Sequence, residues 1–171
     1  MARLDTHRSH IPFLSVYRWC FDHALFFIKK ENHAPRKDLY KKIIRRTIIL
    51  FALGLFLSGF PFYDLATIRI PGVLQRIAVC YFFAAVIFLN SDVKAQAFWA
   101  VAFMLIYWAF MEWFPVAGVG SGSYERGANF SAMVDSLLLP GLLWSQTKTW
   151  DPEGIFSTLP AISTTLFGVL T

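Results

Sequence analysis

Two arginines and a glutamine stand where a predicted apolar helix begins, within the string RIPGVLQR at residues 69–76. Pro71 favours a helix N-terminus here, because proline fits a first helical turn and keeps the preceding residue out of the α region. Unpaired backbone N–H groups and the positive end of the helix dipole, beside Arg69, Gln75 and Arg76, could hold a carboxylate, a phosphate or a sugar hydroxyl. The alternative is that both arginines reach for the membrane interface and only anchor the helix.

Two carboxylates, Asp151 and Glu153, flank Pro152 just before the last apolar segment. Acidic groups near a helix N-terminus are favoured by the helix dipole, so a helix cap is one interpretation. The other interpretation is that they pair with Arg69 or Arg76, or bind the amine of a substrate. The sequence leaves both open.

The composition indicates that a lipid bilayer surrounds the elements that must position these groups. Of the 171 residues, 56% are hydrophobic, 18% are aromatic and only 16% are charged. Residues 1–46 hold eleven of the sixteen Lys and Arg and four of the eleven Asp and Glu. A basic segment beside an apolar helix is typical of the cytoplasmic side of a membrane protein, not of a nucleic-acid surface, and no nucleic-acid partner is expected. Cys80 lies within an apolar run, where a free cysteine packs as a small hydrophobe.

The apolar runs predict an all-α fold: a polytopic bundle of about four transmembrane helices. The basic cluster before the first run, KKIIRR at residues 41–46, is expected to stay on the cytoplasmic side. The helix ends that carry the arginines and the acidic pair are then all expected on the outer side. The chain ends within an apolar run, and we expect a truncated last span. The predicted spans lie near 47–63, 73–89, 97–114 and 154–171.

Two other segments have weaker patterns. Residues 1–38 are expected to form an atypical, amphipathic segment at the membrane interface, in which Arg18 and Asp22 could pair on one helical face; a spanning helix is the second choice. The connection between Pro115 and Glu153 is long enough to be functional or disordered. Its apolar part, Phe130–Leu143, is too short to span a membrane and suits a lid or re-entrant helix.

Four strings, read together, resemble the membrane acyltransferases related to heparan-alpha-glucosaminide N-acetyltransferase. They are KKIIRRTIILFALGLFL at 41–57, IRIPGVLQRIAVCYFFAAVIFL at 68–89, MVDSLLLPG at 133–141 and WDPEGIFSTLPAISTTLFGVL at 150–170. The resemblance covers residues 39–171. It implies a multi-pass enzyme, here of a bacterial inner membrane, that moves an acetyl group from acetyl-CoA to an amino-sugar acceptor. A homo-oligomer is compatible with it. By the same resemblance the cavity residues are Arg69, Gln75, Arg76, Asp135, Asp151 and Glu153.

The sequence also departs from that family. The family's catalytic histidine belongs to a loop ahead of the basic cluster, and the segment around His33 lacks the residues expected beside it. All four histidines lie within residues 1–33 and show no metal-ligand spacing, so no metal site is expected. Ser136 stands where the family has a basic residue. We therefore expect this chain alone to be a fragment without catalytic competence. The alternative is a transporter or scaffold subunit that binds an anionic glycan without chemistry.

Overall fold

The structure, a computed structural model, describes residues 35–60, 70–116, 120–140 and 150–170. The all-α fold class is confirmed for these ranges, which contain five helices and no strand. The interfacial segment predicted within residues 1–38 lies almost wholly outside them. The helices are α1 (Arg36–Gly59), α2 (Val73–Asn90), α3 (Val93–Trp113), α4 (Phe130–Leu138) and α5 (Thr158–Leu170).

The helix boundaries follow local sequence more closely than they follow the apolar runs. α1 begins at Arg36 and continues through the basic cluster, eleven residues before the predicted start, because Lys, Arg, Leu and Ile are all compatible with a helix. α2 begins at Val73 after an extended Gly72, close to the position predicted from Pro71. α3 begins at Val93, four residues early, and α5 at Thr158, four residues late, because residues 155–157 form turns.

Contacts near the helix ends fix the direction of each helix. The Tyr40 hydroxyl near the start of α1 donates to Asn90 Oδ1 at the end of α2, over 2.8 Å, so α1 and α2 are antiparallel. α3 and α5 are also antiparallel, since the Phe110 and Phe156 rings lie 5.7 Å apart at one end and the Ser163 hydroxyl donates to the Ala100 carbonyl further along. The starts of α2 and α5 therefore lie at one end of the molecule, with the end of α3.

Small side chains form much of the contact between α2, α3 and α5. Cys80, Ala84 and Ala100 are buried together with Ile162 and Leu166. Small residues let helix backbones approach closely, which increases dispersion contacts. The prediction that Cys80 packs as a small apolar side chain is confirmed: its thiol is free and the residue is 6% exposed.

Two helices, α2 and α3, are long and apolar enough to cross a membrane. At 1.5 Å per residue, their 18 and 21 residues span about 27 and 32 Å, close to the hydrocarbon thickness of about 30 Å. α5 is a shorter apolar helix of 13 residues, and the first half of α1 contains the basic cluster. Two such helices are consistent with a membrane protein, and the four-span arrangement stays a prediction.

Candidate ligand-binding site

Five of the six residues predicted to line a cavity lie at the end of the molecule where α2 and α5 begin. Gln75 and Arg76 are in the first turn of α2, Asp135 is in α4, and Asp151 and Glu153 precede α5. The sixth, Arg69, lies outside the described residues, as do all four histidines. Segments far apart in the sequence are thus brought to one place; the hydrogen bond between Arg76 and Ser157, for example, joins residues 81 positions apart.

Arg76 joins the start of α2 to the segment that leads into α5. Its Nη1 donates to the Pro152 carbonyl over 3.0 Å, and its Nη2 donates to the Ser157 carbonyl over 2.8 Å. Hydrogen bonds from a charged donor are stronger than neutral ones, and the planar guanidinium presents its five N–H groups in a fixed geometry. These two bonds leave other N–H groups of Arg76 for a ligand.

Asp135 is buried beneath the segment before α5, with only 1% of its surface exposed. Its Oδ1 accepts a hydrogen bond from the backbone N–H of Ile155 over 2.9 Å. The approach is so close that a Cβ added at Gly154 would fall 2.5 Å from Asp135 Cγ. α4 itself is capped by Asn129, whose Oδ1 accepts from the Ala132 N–H over 2.9 Å. Asp135 therefore holds α4 against the start of α5.

The pKa of the Asp135 carboxyl is raised from 3.8 to about 6, chiefly by burial and to a lesser extent by the charge of Asp151. Backbone N–H bonds from Ile155 and Phe156 oppose this shift, because they stabilise the ionised form. A carboxyl whose pKa is higher in the folded state binds its proton more tightly there. Its contribution to stability is therefore largest at acidic pH and falls as pH rises toward and through 6.

We expect Asp135→Asn to weaken the pH dependence of stability between pH 4 and pH 7. An asparagine mimics the protonated acid and can still accept from the Ile155 N–H. At pH 7 the free energy of unfolding of the variant should therefore exceed that of the wild type by up to about 3 kcal/mol. Thermal unfolding in detergent, followed by tryptophan fluorescence at several pH values, measures this. Asp92→Asn is the control, since Asp92 is exposed at the start of α3 and makes no side-chain cap bond. Equal pH profiles for wild type and Asp135→Asn would contradict the assignment.

Asp151 stabilises the turn in which it lies. Its Oδ1 accepts from the Glu153 N–H over 2.9 Å, and its carbonyl accepts from the Gly154 N–H over 3.1 Å. This arrangement is an Asx turn, in which the side chain replaces a backbone partner. The structure places Asp151 in a local turn seven residues before α5. Capping of the helix by the two acids, and their pairing with an arginine or a substrate amine, both stay predictions.

Gln75 is buried at the base of this region, with 4% of its surface exposed. Two glycines make room for its amide: a Cβ at Gly54 of α1 would lie 2.6 Å from Gln75 Oε1, and one at Gly72 would lie 2.5 Å from the same atom. Gln75 Nε2 has no hydrogen-bond partner within the described part of the chain. An unpartnered buried amide nitrogen is costly, which makes it a candidate ligand donor.

A cavity of about 390 Å³ opens beside these groups. Its lining includes Gln75, Arg76 and Glu153. Asp135 and Asp151 do not line it but accept hydrogen bonds from two lining residues, Ile155 and Glu153. Most of the remaining lining is apolar and comes from α1, α2, α3 and α5. An apolar pocket with a few convergent polar groups is the usual form of a small-molecule site.

Sequence reasoning missed the glycines and aromatic rings that shape the site. Gly54, Gly72 and Gly154 each occupy a position where a side chain would collide with Gln75 or Asp135. The Phe130 and Phe156 rings lie 4.9 Å apart, and α3 rings pack against both. The glycine of the DPEG string was a visible signal, whereas Gly54 lies in an apolar run and gave none.

Near the same end, a hydrogen bond ties the loop before α4 to α3. The Tyr124 hydroxyl donates to Glu112 Oε2 over 2.8 Å, and this bond raises the pKa of Tyr124. Gly122, beside Glu112, has a φ of 74°, a left-handed conformation that favours glycine. Glu112 thus has a structural partner in the loop.

No model of a known protein family matches the chain, and no curated protein is significantly similar to it in sequence. The resemblance of the four strings accordingly stays a prediction. Any proposed function therefore depends on the geometry of the site.

Proposed function

We propose that this chain is an integral membrane protein in which α1, α2 and α3 span the bilayer and α5 forms part of a fourth span, so that the four helices make a bundle. Large apolar side chains cover the outer surface of α3, including Phe98, Met104 and Leu105, each more than half exposed. The apolar half of α1 is similar, with Ile48 60% and Leu57 56% exposed. Contiguous apolar surface of this extent needs an apolar surrounding, which lipid supplies. The alternating helix directions support the same arrangement.

The orientation of the proposed bundle follows from its charges. Six basic residues lie in the first half of α1: Arg36, Lys37, Lys41, Lys42, Arg45 and Arg46. The start of α1 lies at the end of the molecule where α2 finishes, opposite the cavity. Basic residues concentrate on the cytoplasmic side, so the cavity faces the extracytoplasmic side of a bacterial inner membrane in this proposal.

Within this frame we propose that the cavity binds the amino-sugar acceptor of an acetyl-CoA-dependent N-acetyltransferase of the heparan-alpha-glucosaminide type. The observation that carries the proposal is the convergence of Gln75, Arg76 and Glu153 on one cavity. Arg76 and Gln75 would hold sugar oxygens, and the Glu153 carboxylate would attract the amine. Holding the acceptor in one orientation is itself a large part of catalysis in a two-substrate reaction.

The volume of the cavity favours the acceptor over the donor as its occupant. Small-molecule sites range from about 300 to 1,000 Å³, and 390 Å³ is at the lower end. An amino sugar fits such a space, whereas acetyl-CoA, with its nucleotide and pantetheine arm, is much larger. This cavity therefore does not fit the complete donor, and we assign none of its lining to acetyl-CoA.

Acetyl transfer in membranes tests the enzymatic proposal. Membranes that contain the full chain are incubated with isotope-labelled acetyl-CoA and glucosamine, and N-acetylglucosamine is measured by mass spectrometry. For a full-length protein that includes the histidine loop implied by the resemblance, we expect labelled product above the level of membranes without the protein, and loss of product with Gln75→Leu. For these 171 residues alone we expect none. If no amine acceptor is acetylated, the proposal of catalysis is wrong.

A non-catalytic function is the second candidate, and one observation favours it. Among the described residues that line the cavity there is no histidine, the commonest general base. A transporter or scaffold subunit would need only the binding groups. Binding of glucosamine or an anionic glycan to the purified protein without acetyl transfer would support this candidate.

A further inference from the structure

The cavity is elongated along α2, with successive turns of that helix forming one wall. Gln75, Val79 and Phe83 are spaced at four residues and all line it, with Arg76 beside the first. At 1.5 Å per residue, the distance along the helix axis from Gln75 to Phe83 is about 12 Å. The cavity is therefore a groove that runs from the start of α2 toward its middle.

The polar groups of the groove all lie at one end. Gln75 and Arg76 belong to the start of α2 and Thr158 to the start of α5. Glu153 belongs to the turn that precedes α5. Further along the groove, every lining residue is apolar: Phe51 from α1, Val79 and Phe83 from α2, Phe103 from α3, and Leu159 and Ile162 from α5. The groove thus has a polar end and an apolar end.

A free sugar would complement only the polar end of this groove. Water is not expected to occupy the apolar end of the groove stably, because a buried water needs about two to four polar partners. An apolar cavity of about 150 Å³ is enough to bind benzene. The 390 Å³ here leaves room for a hydrocarbon segment besides polar contacts. At the apolar end, Phe83 is 43% exposed, so this end reaches the outer surface that the bilayer would cover.

We propose that the occupant of the groove is an amphiphile: an amino sugar attached to a lipid chain. The sugar lies at Gln75 and Arg76, and the first part of the chain lies along Val79 and Phe83 and leaves toward the bilayer. Gln75 Nε2, which has no partner in the described residues, donates to an oxygen of the sugar or of its linkage. This inference rests on the proposed function and names its acceptor as lipid-linked.

Photolabelling of the protein in lipid nanodiscs tests the proposal without any mutation. The probe is an alkyl glucosaminide with a diazirine on its chain, and labelled peptides are identified by mass spectrometry. We expect labelling to concentrate on Val79–Phe83 and Leu159–Ile162 and to be displaced by an unlabelled alkyl glucosaminide. The exposed surface of α3 around Met104 reports ordinary boundary lipid. Equal labelling of that surface and the groove would overturn the proposal.

The head group and the groove can be tested separately. An alkyl glycerol probe of equal chain length should label the groove less than the glucosaminide, and equal labelling would reduce the groove to a general lipid site and overturn the proposal. Gln75→Leu keeps the volume but removes the donor. It should reduce groove labelling roughly tenfold, the effect of losing about one hydrogen bond, while labelling near Met104 stays constant. Val79→Trp fills the groove and should reduce labelling in the same way.

The outcomes also separate this inference from the proposed function. Acetylation of glucosamine with no preference for the alkyl glucosaminide, and no labelling of the groove, would leave the enzyme proposal standing and overturn the lipid-linked acceptor. Groove labelling that depends on the amino sugar, without acetylation of either compound, would support the amphiphile and overturn catalysis.

Discussion

Replacing Gly154 with alanine should destabilise the protein more than any other single methyl group added at a described glycine. The new Cβ would fall 2.5 Å from Asp135 Cγ and 2.6 Å from Asp135 Oδ1. Asp135 cannot move away easily, because it is buried and accepts from the Ile155 N–H. Overpacking at buried sites costs about 1–3 kcal/mol, and we expect about 3 kcal/mol or more here, since a carboxyl group would also lose its hydrogen bond.

Gly168→Ala is the matched control for this variant. Gly168 lies in α5, and a Cβ there would meet nothing within 4 Å. Alanine favours a helix over glycine by about 1 kcal/mol, so the control should be neutral or slightly stabilising. Thermal unfolding in detergent measures both variants. If Gly154→Ala unfolds at the wild-type temperature, the packing of Asp135 against residues 154–155 is wrong.

Replacing Arg76 with alanine is expected to have the second large effect, on stability and on ligand binding together. The variant loses hydrogen bonds to the Pro152 and Ser157 carbonyls, which join α2 to the start of α5. Hydrogen bonds to charged groups contribute about 1.5–3 kcal/mol each, so a loss of about 3 kcal/mol is expected after partial compensation by water. Arg76→Lys should recover only part of it, because one ammonium group cannot reproduce the planar, two-nitrogen contact.

Arg126→Ala provides the comparison, since Arg126 is exposed in the loop before α4. Both variants should insert into membranes at the wild-type level, measured by membrane fractionation. Unfolding and glucosaminide binding should change only for Arg76→Ala. A stable, fully binding Arg76→Ala would restore the interpretation of Arg76 as an interface anchor.

The helices were accessible from the sequence because they depend on local patterns. The expectation that the arginines and the acidic pair share one end came instead from the alternating directions of successive spans. Apolar runs predicted α2 and α3 to within a few residues, and Pro71 predicted the start of α2. α1 begins eleven residues before the predicted span, since a hydropathy pattern locates the lipid boundary and not the end of a helix. Helices continue into water wherever the residues tolerate it.

The detailed contacts of the site could not be predicted, because they depend on how separate segments meet. Pairing of Arg76 with acids is one of two alternatives that the sequence leaves open, and no sequence pattern indicates that Arg76 donates to the Pro152 and Ser157 carbonyls. Likewise, nothing local indicates that Gly54 of α1 packs on Gln75 of α2. Such contacts arise from tertiary packing, which a single sequence does not encode in any short pattern.

Labelling of single cysteines with a membrane-impermeant maleimide tests the central claim most directly, namely that lipid surrounds these helices and the cavity end faces outside. Cys20 and Cys80 are first replaced with alanine, and single cysteines are then placed at Ser121, Asp92 and Leu105. Ser121 and Asp92 are exposed at opposite ends of α3, and Leu105 is 56% exposed near its middle. In intact spheroplasts we predict labelling at position 121, labelling at position 92 only after permeabilisation, and none at position 105. Labelling of positions 121 and 92 from the same side, or rapid labelling at 105, would contradict the account.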